Sequence, residues 1–314
     1  MTDAPIREAG DDGEMSVVLR IELAGRSLGA MRRRLRLMRY GLDAVLAGRA
    51  RDLPPPGRDG WFIRSVPLTA LDALRAELDG WLVVVRQTYH RHYLPMAGLG
   101  FDGWWQGFSG KTRSTLKRKA GRIEREIEGL EMRAYRTPEE VRAFMTIAGE
   151  LSERTYQAKL LQAGLPTGDA AVARAVRMAE ADDMRGFILF AGDRAIAYLY
   201  LPVEEGVVIY GFLGYDPDFA QYSPGSVLHV EAMRALFAEG RFRHFDFTEG
   251  DGAHKAQFGR GSVECADIVA LRPTLRNRAA LALIGGADAV ARWGKGLLDR
   301  IGLRARVASL LRRG

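Results

Sequence analysis

The chain has 314 residues, 47% of them hydrophobic and 27% charged, with a net charge of +7. That balance excludes a disordered or fibrous protein, and the length suggests about two domains with ample material for a core. A single cysteine, Cys265, rules out an intramolecular disulfide, the opening MTDAPIREAGDDGEM is too acidic for a secretory leader, and no apolar run reaches bilayer length, so a cytoplasmic protein is expected.

In chain order, residues 1–15 are expected to form a disordered tail, and Ser16 to Ile21 a strand. Arg32, Arg33, Arg34, Arg36 and Arg39 make a basic cluster, and RDLPPPGRDG over 51–60 reads as a linker. Strands follow at Trp61 to Ser65 and Trp81 to Arg86, with a helix between them. Lys111 to Arg125 is a second basic run, with Leu116, Ala120, Ile123 and Ile127 as its apolar stripe, so a helix with one cationic face is predicted. Its charges suit a nucleic acid backbone, an anionic substrate group or an anionic lipid, or they are solvated beside Glu124, Glu126 and Glu128. No stacking platform accompanies them, which argues against nucleic acid. Lys111, Arg113 and Arg118 are the candidate substrate-binding residues.

Thr137-Pro-Glu-Glu140 is a capping box opening a helix to Tyr156, and a further helix spans Asp169 to Glu180. Strands are predicted at Gly186 to Ala191, Ala195 to Leu201 and Val207 to Gly214, joined by Gly192-Asp193 and Glu204-Glu205-Gly206 turns. Ser223 is a suitable N-cap and Pro224 a suitable first residue for a helix carrying Val227, Val230, Met233 and Leu236 and ending at Gly240. Phe242, Phe245 and Phe247 give a short strand, after which Glu249, Asp251, His254 and Lys255 crowd one loop, and Asp267 to Leu271 is a last strand. From Arg276 onward nine basic and two acidic residues hold the whole net charge. There Val290, Trp293, Leu297 and Ile301 share a helical face flanked by Arg292, Lys295, Arg300 and Arg304, a pattern suited either to an anionic membrane surface or to docking by the apolar stripe.

The succession strand, helix, helix, three antiparallel strands, helix, strand resembles the GNAT acyltransferase fold, and in particular its FemAB-like branch. The resemblance rests on Ser109, Lys111 and Arg113, on Ser223 to Gly225, on Phe245-Asp246-Phe247, and on Gly250-Asp251 followed by His254-Lys255. It implies an α+β (α/β) fold with a central mixed, mostly antiparallel sheet. It also implies a degenerate GNAT-like half over 16–130, the acyltransferase domain over 131–275, and a basic amphipathic tail over 276–314.

The same resemblance implies acyl-CoA as co-substrate, with the pyrophosphate at the helix start by Ser223, Gly225 and Ser226, and Lys255 countering negative charge, while the scarcity of cysteine and histidine ligands leads to the expectation of no metal. Pro224 stands where the family has the first glycine of its loop, and some FemAB-like enzymes take aminoacyl-tRNA as donor instead. Glu249 and His254 are candidate bases, His254 standing where the family commonly has tyrosine. Asp246 is expected to orient His254, and Tyr210 to protonate a leaving thiolate. Packing alternatives exist for each: Asp246 as a strand-end cap, His254 at the surface, Tyr210 and His229 in the core. His90 and His92 lack the further ligands a zinc site needs.

The activity expected is acyl transfer from a thioester to an amine or hydroxyl, the acceptor being membrane-associated, such as a long-chain lipid base, with the enzyme at the inner face of the membrane. Acylation of a polysaccharide precursor and aminoacyl transfer are the alternatives. An inactive basic adaptor is a reading from another class.

Overall fold

A computed structural model describes residues 13–23, 26–154, 164–250, 252–279 and 281. In chain order its elements are β1 (Glu14–Leu23), β2 (Arg26–Arg39), α1 (Leu42–Ala47), β3 (Gly60–Pro67), α2 (Leu71–Glu77), β4 (Leu82–Pro95), α3 (Phe101–Gln106), α4 (Gly110–Glu126), β5 (Leu130–Tyr135), α5 (Pro138–Arg154), α6 (Asp169–Glu180), β6 (Met184–Ala191), β7 (Arg194–Glu204), β8 (Val207–Ile209), β9 (Phe212–Tyr215), α7 (Pro224–Glu239), β10 (His244–Asp246), α8 (Ala253–Phe258) and β11 (Gly261–Leu271). The described residues fall into two compact units, one within Tyr89–Glu264 and the other of the residues up to Thr88 with those from Cys265 on. The basic helix α4 therefore shares a unit with the strands that follow it, although its place in the sequence puts it in the first half.

In the unit of the described residues up to Thr88 and from Cys265 on, the strand order is β1-β2-β3-β11, with β2 and β3 parallel and the other neighbours antiparallel. The arginine cluster lies on β2, where Arg33 and Leu35 are buried and Arg32 and Arg34 exposed. Alternation sets the period of a strand, and the run of arginines hides it from a hydropathy reading. Arg33 Nε donates to Asn277 Oδ1 at 2.9 Å, and β1 begins at Glu14, inside the segment whose composition suggests a tail. The amphipathic pattern at Val290, Trp293, Leu297 and Ile301 lies outside the described residues.

The unit spanning Tyr89–Glu264 is built on a mixed, mostly antiparallel sheet with the order β4-β10-β8-β7-β6-β5, and β9 adds a second partner for β7. The β10–β8 pair is parallel; the other pairings recorded in this unit are antiparallel. Strand β6 is buried on both faces, which explains the apolar run from Phe187 to Ala191. Phe187 and Leu189 pack with Leu116 of α4 and Leu228 of α7, while Ile188 and Phe190 pack with Phe144 of α5 and Ala175 of α6. The capping box forms: Thr137 Oγ1 accepts from the Glu140 amide at 3.3 Å, and Glu140 Oε2 accepts from the Thr137 amide at 2.9 Å. Among the described residues no helix is long and apolar enough to cross a membrane.

Candidate functional site

The predicted strand Val207 to Gly214 is broken at Tyr210 and Gly211 into β8 and β9, and the candidate site lies at that break. Up to Ile209 the chain lies parallel to β10; Tyr210 N–H then donates to Asp246 O at 2.9 Å and Gly211 N–H to Tyr200 O at 3.1 Å. Beyond this point β9 stays with β7, whereas Phe247 N–H donates to His92 O of β4 at 3.0 Å. The two neighbours part, and Gly211 suits the break because a Cβ there would lie 2.9 Å from the Tyr200 carbonyl oxygen.

Tyr210 faces this opening with its hydroxyl 3.2 Å from Nε2 of His254, on the first turn of α8. Burial, then the positive charges of Lys255 and Lys119, push the His254 imidazole down to about 4, so it is neutral at neutral pH. The sequence expectation of a histidine titrating near neutrality is thus corrected: His254 is partly buried, its ring tilted against that of Phe258 with the centroids 4.7 Å apart. Burial also pushes the Tyr210 hydroxyl up. A neutral imidazole against a neutral phenol can donate or accept, as its tautomer decides.

Asp246 does not orient His254. Its carboxylate accepts from Arg91 Nε at 3.1 Å and from Arg91 Nη2, and also from the Thr248 amide at 2.8 Å. Burial by itself would lower the Arg91 pKa, but the Asp246 charge and hydrogen bonds outweigh it and hold the guanidinium charged. This buried pair braces β4 against β10 and fixes the turn at Thr248, whose φ is +60°. Glu249 follows in the same turn, and its charge also favours the Arg91 cation. Lys255 Nζ donates to the Glu249 carbonyl oxygen and reaches Thr248 Oγ1 at 3.5 Å, tying the loop rather than pointing at the start of α7.

That helix start differs from expectation as well. Ser223 is the N-cap by position but sits at φ +54° with no side-chain capping bond. Pro224 has no N–H, and the amides of Ser226 and Val227 already reach Ser223 O at 2.9 and 3.3 Å. Gly225 packs on β9, where a Cβ would come 2.9 Å from Leu213 Cδ2. The positive charge at this spot comes from α4. Lys119 Nζ lies 3.4 Å from Ser226 Oγ, Arg122 Nη1 donates to Gln221 O at 3.3 Å, and the Arg122 guanidinium lies 5.0 Å from the Tyr222 ring. Arg118, Lys119 and Arg122 line one side of a cavity of about 360 Å³, with Gln221, Tyr222 and Ser223 on the other.

A second cavity of about 400 Å³ lies between α3, α4 and α7, with Phe101, Trp105, Leu116, Val227 and Val230 as apolar lining and Lys119 shared with the first. Of the other basic candidates, Lys111 is exposed and lines neither cavity. Arg113 Nη1 donates to the carbonyl oxygens of Gln106 and Phe108 at 2.7 and 2.9 Å, closing the end of α3.

Residues 110–256 match the family described as Acetyltransferase (GNAT) domain. This segment is a GNAT acetyltransferase domain. It opens at α4 and closes within α8, so it contains the basic helix, the strand break and the Tyr210–His254 pair. The GNAT machinery makes the protein an acyltransferase. Among solved structures the chain is similar to FemX, with 12% identity, 87% of this chain and 91% of that one covered, and a TM-score of 0.49. It is also similar to L-PGS from Bacillus licheniformis, at 14% identity, 71% of each chain and 0.45, and to a GCN5-related N-acetyltransferase from Kribbella flavida, at 12%, 66% and 67%, and 0.35. No curated protein matches the chain in sequence.

Two residues that the sequence reading leaves in a basic run and in the core lie beside the candidate site. Lys119 was one charge among seven in its run, and only the α4–α7 contact singles it out. His229, on the inner face of α7, has no exposed surface and lies 5.2 Å from His254 between ring centroids. His90 Nε2 instead pairs with Glu264 at 3.5 Å, and among the described residues no cluster of His, Cys, Asp and Glu suited to a metal ion occurs.

Proposed function

We propose that the protein is an N-acyltransferase of the FemAB-like branch, taking its acyl group from coenzyme A and passing it to the amine of a membrane-associated acceptor such as a long-chain lipid base. The observation that carries this reading is the Tyr210–His254 pair at the point where β9 and β10 part. The donor's phosphates lie against Arg118, Lys119 and Arg122, which replace the glycine-rich amides that Pro224 displaces. Three cations of this kind neutralise a pyrophosphate as a run of free helix amides does.

The amine attacks the thioester carbon, forming the C–N bond and breaking C–S. Tyr210 gives its hydroxyl proton to the leaving sulfur and recovers one from the acyl-bound nitrogen, so the amine proton ends on the thiol. His254, neutral by burial, donates from Nε2 to the Tyr210 oxygen and stabilises the transient phenolate. An imidazole held near 4 is a weak base but a sound neutral donor, which favours this role over the general base that its residue type suggests. Glu249 remains the alternative base of the loop.

The basic, amphipathic composition after Arg276 supports an acceptor at an anionic membrane, and with it a peripheral location at the inner face. Thiol release from a panel of acyl-CoAs with long-chain amines, by the full chain and by Tyr210→Phe, tests the reading. Turnover lowered by roughly a hundredfold or more on the substitution is expected; no thiol from any acyl-CoA would sink it. A second reading, with aminoacyl-tRNA as donor, draws on exposed Lys117, Arg118, Arg122 and Arg125 along α4, more charge than one pyrophosphate needs. Deacylation of charged tRNA in the same assay distinguishes it.

A further inference from the structure

His229 sits in the second turn of α7, where the other buried residues from Val227 to Leu236 are apolar. Its ring is enclosed by Phe258 at 4.5 Å, Phe245 at 5.6 Å and Phe247 at 5.8 Å, measured between centroids. Neither ring nitrogen has a hydrogen-bond partner among the described residues, although a neutral imidazole carries one N–H that must be desolvated to reach this place. A phenylalanine or leucine would fill the space without that cost, so packing does not explain the histidine. The other polar rings in contact with it are those of His254, at 5.2 Å, and Tyr210, at 5.7 Å, and those two are bonded to each other.

We propose that His229 is a positioning residue for the Tyr210–His254 pair, its buried imidazole serving as the hydrogen-bond partner that fixes the tautomer of His254. The two rings stand nearly edge to face, at 74°, and the proposal has the His229 ring turned about its Cβ–Cγ bond to meet Nδ1 of His254, with the His254–Tyr210 bond left in place. With the His229 N–H donating to Nδ1 of His254, the proton of His254 must reside on Nε2, which then donates to the Tyr210 oxygen. The Tyr210 hydroxyl hydrogen is left for the leaving group. Without His229 the two tautomers of His254 compete, and the one with a bare Nε2 draws the Tyr210 hydrogen away from the sulfur. His229 touches no reacting atom; it acts through His254. The inference rests on the acyl-transfer reading for its kinetic consequence but not for its structural one.

The test uses the full chain with nitrogen-15-labelled histidine, with and without coenzyme A, and compares wild type with His229→Phe and His229→Gln; a His254→Ala sample assigns the His254 signals. The ring nitrogen shifts report the tautomer directly. His254 is expected in a single Nε2–H tautomer in wild type and in both tautomers in His229→Phe. With acetyl-CoA the same variant is expected to lose at least tenfold in kcat with KM for the donor within twofold, and with no loss in Tm. His229→Gln, which keeps a donor, should recover most of the rate. An unchanged His254 tautomer in His229→Phe, or a kcat within twofold of wild type, would overturn the proposal. Should that variant not fold, His229→Leu takes its place, and unfolding of both would overturn it too, since the histidine would then be serving packing. A wild type that releases no thiol from any acyl-CoA of the panel would sink the acyl-transfer reading alone, because the tautomer measurement needs no turnover.

Discussion

Tyr210 and His254, 44 residues apart in the chain, place a phenol oxygen 3.2 Å from an imidazole nitrogen at the point where the central strands part. Each lies beside phenylalanine rings, which keep water from competing for the bond.

Tyr210→Phe removes the proton that the leaving sulfur takes, and general acid catalysis of this kind is worth roughly 10² to 10⁴ in rate. Steady-state thiol release is expected to fall by that factor in kcat, with KM for the donor little changed. His254→Phe removes a supporting hydrogen bond instead, and a loss of about tenfold to a hundredfold is expected.

The His254 imidazole falls from its usual 6.5 to about 4 on burial. Between those values the unfolded chain binds a proton that the native chain does not, so stability falls as pH drops. The contribution is intact above about pH 6.5 and diminishes towards pH 4, by at most about 3 kcal/mol. Wholly buried His229, lowered further by burial and by His254, acts in the same direction. Urea unfolding at a series of pH values checks this; stability independent of pH through that window would contradict it. The acid limb of kcat from His254 is likewise expected near pH 4 rather than near 6.5.

Lys119 borders both cavities and approaches Ser226 of α7. Lys119→Ala and Arg122→Ala are each expected to raise KM for acyl-CoA about tenfold, roughly the value of one charge-assisted hydrogen bond. The rise in Tm that coenzyme A gives wild type should shrink in both variants. Lys111→Ala, altering an exposed side chain that lines neither cavity, should leave both measurements as they are.

Arg91 and Asp246 form a buried pair with side chains 4% and 1% exposed. Arg91→Met strands the carboxylate, and removing one partner of such a pair costs about 3 to 5 kcal/mol. Chemical denaturation should report that loss, with the turn at Thr248 loosened and activity lowered along with it.

Much of the scaffold was legible from local pattern. The capping box at Thr137, the helix Asp169–Glu180, the strands around Gly192 and the helix closed by Gly240 follow from hydropathy period, caps and turn residues, which act over a few positions. Strand β2 was not, because its arginines mask an alternation visible only once Arg33 is seen buried. Helix α8 was read as loop, since AHKAQF is too short to show a period.

Spacing along the chain carries the order of elements, the basic face of α4, and the crowding of ionisable groups between Asp246 and Lys255. Tertiary structure alone decided what those groups do. Asp246 is held by Arg91 from another strand, and Lys255 is turned back onto its own loop. His254 meets Tyr210 and His229, which reach it from a strand break and a helix interior. Side-chain charge and hydrogen bonding depend on burial and on partners distant in sequence, and neither is written in local pattern.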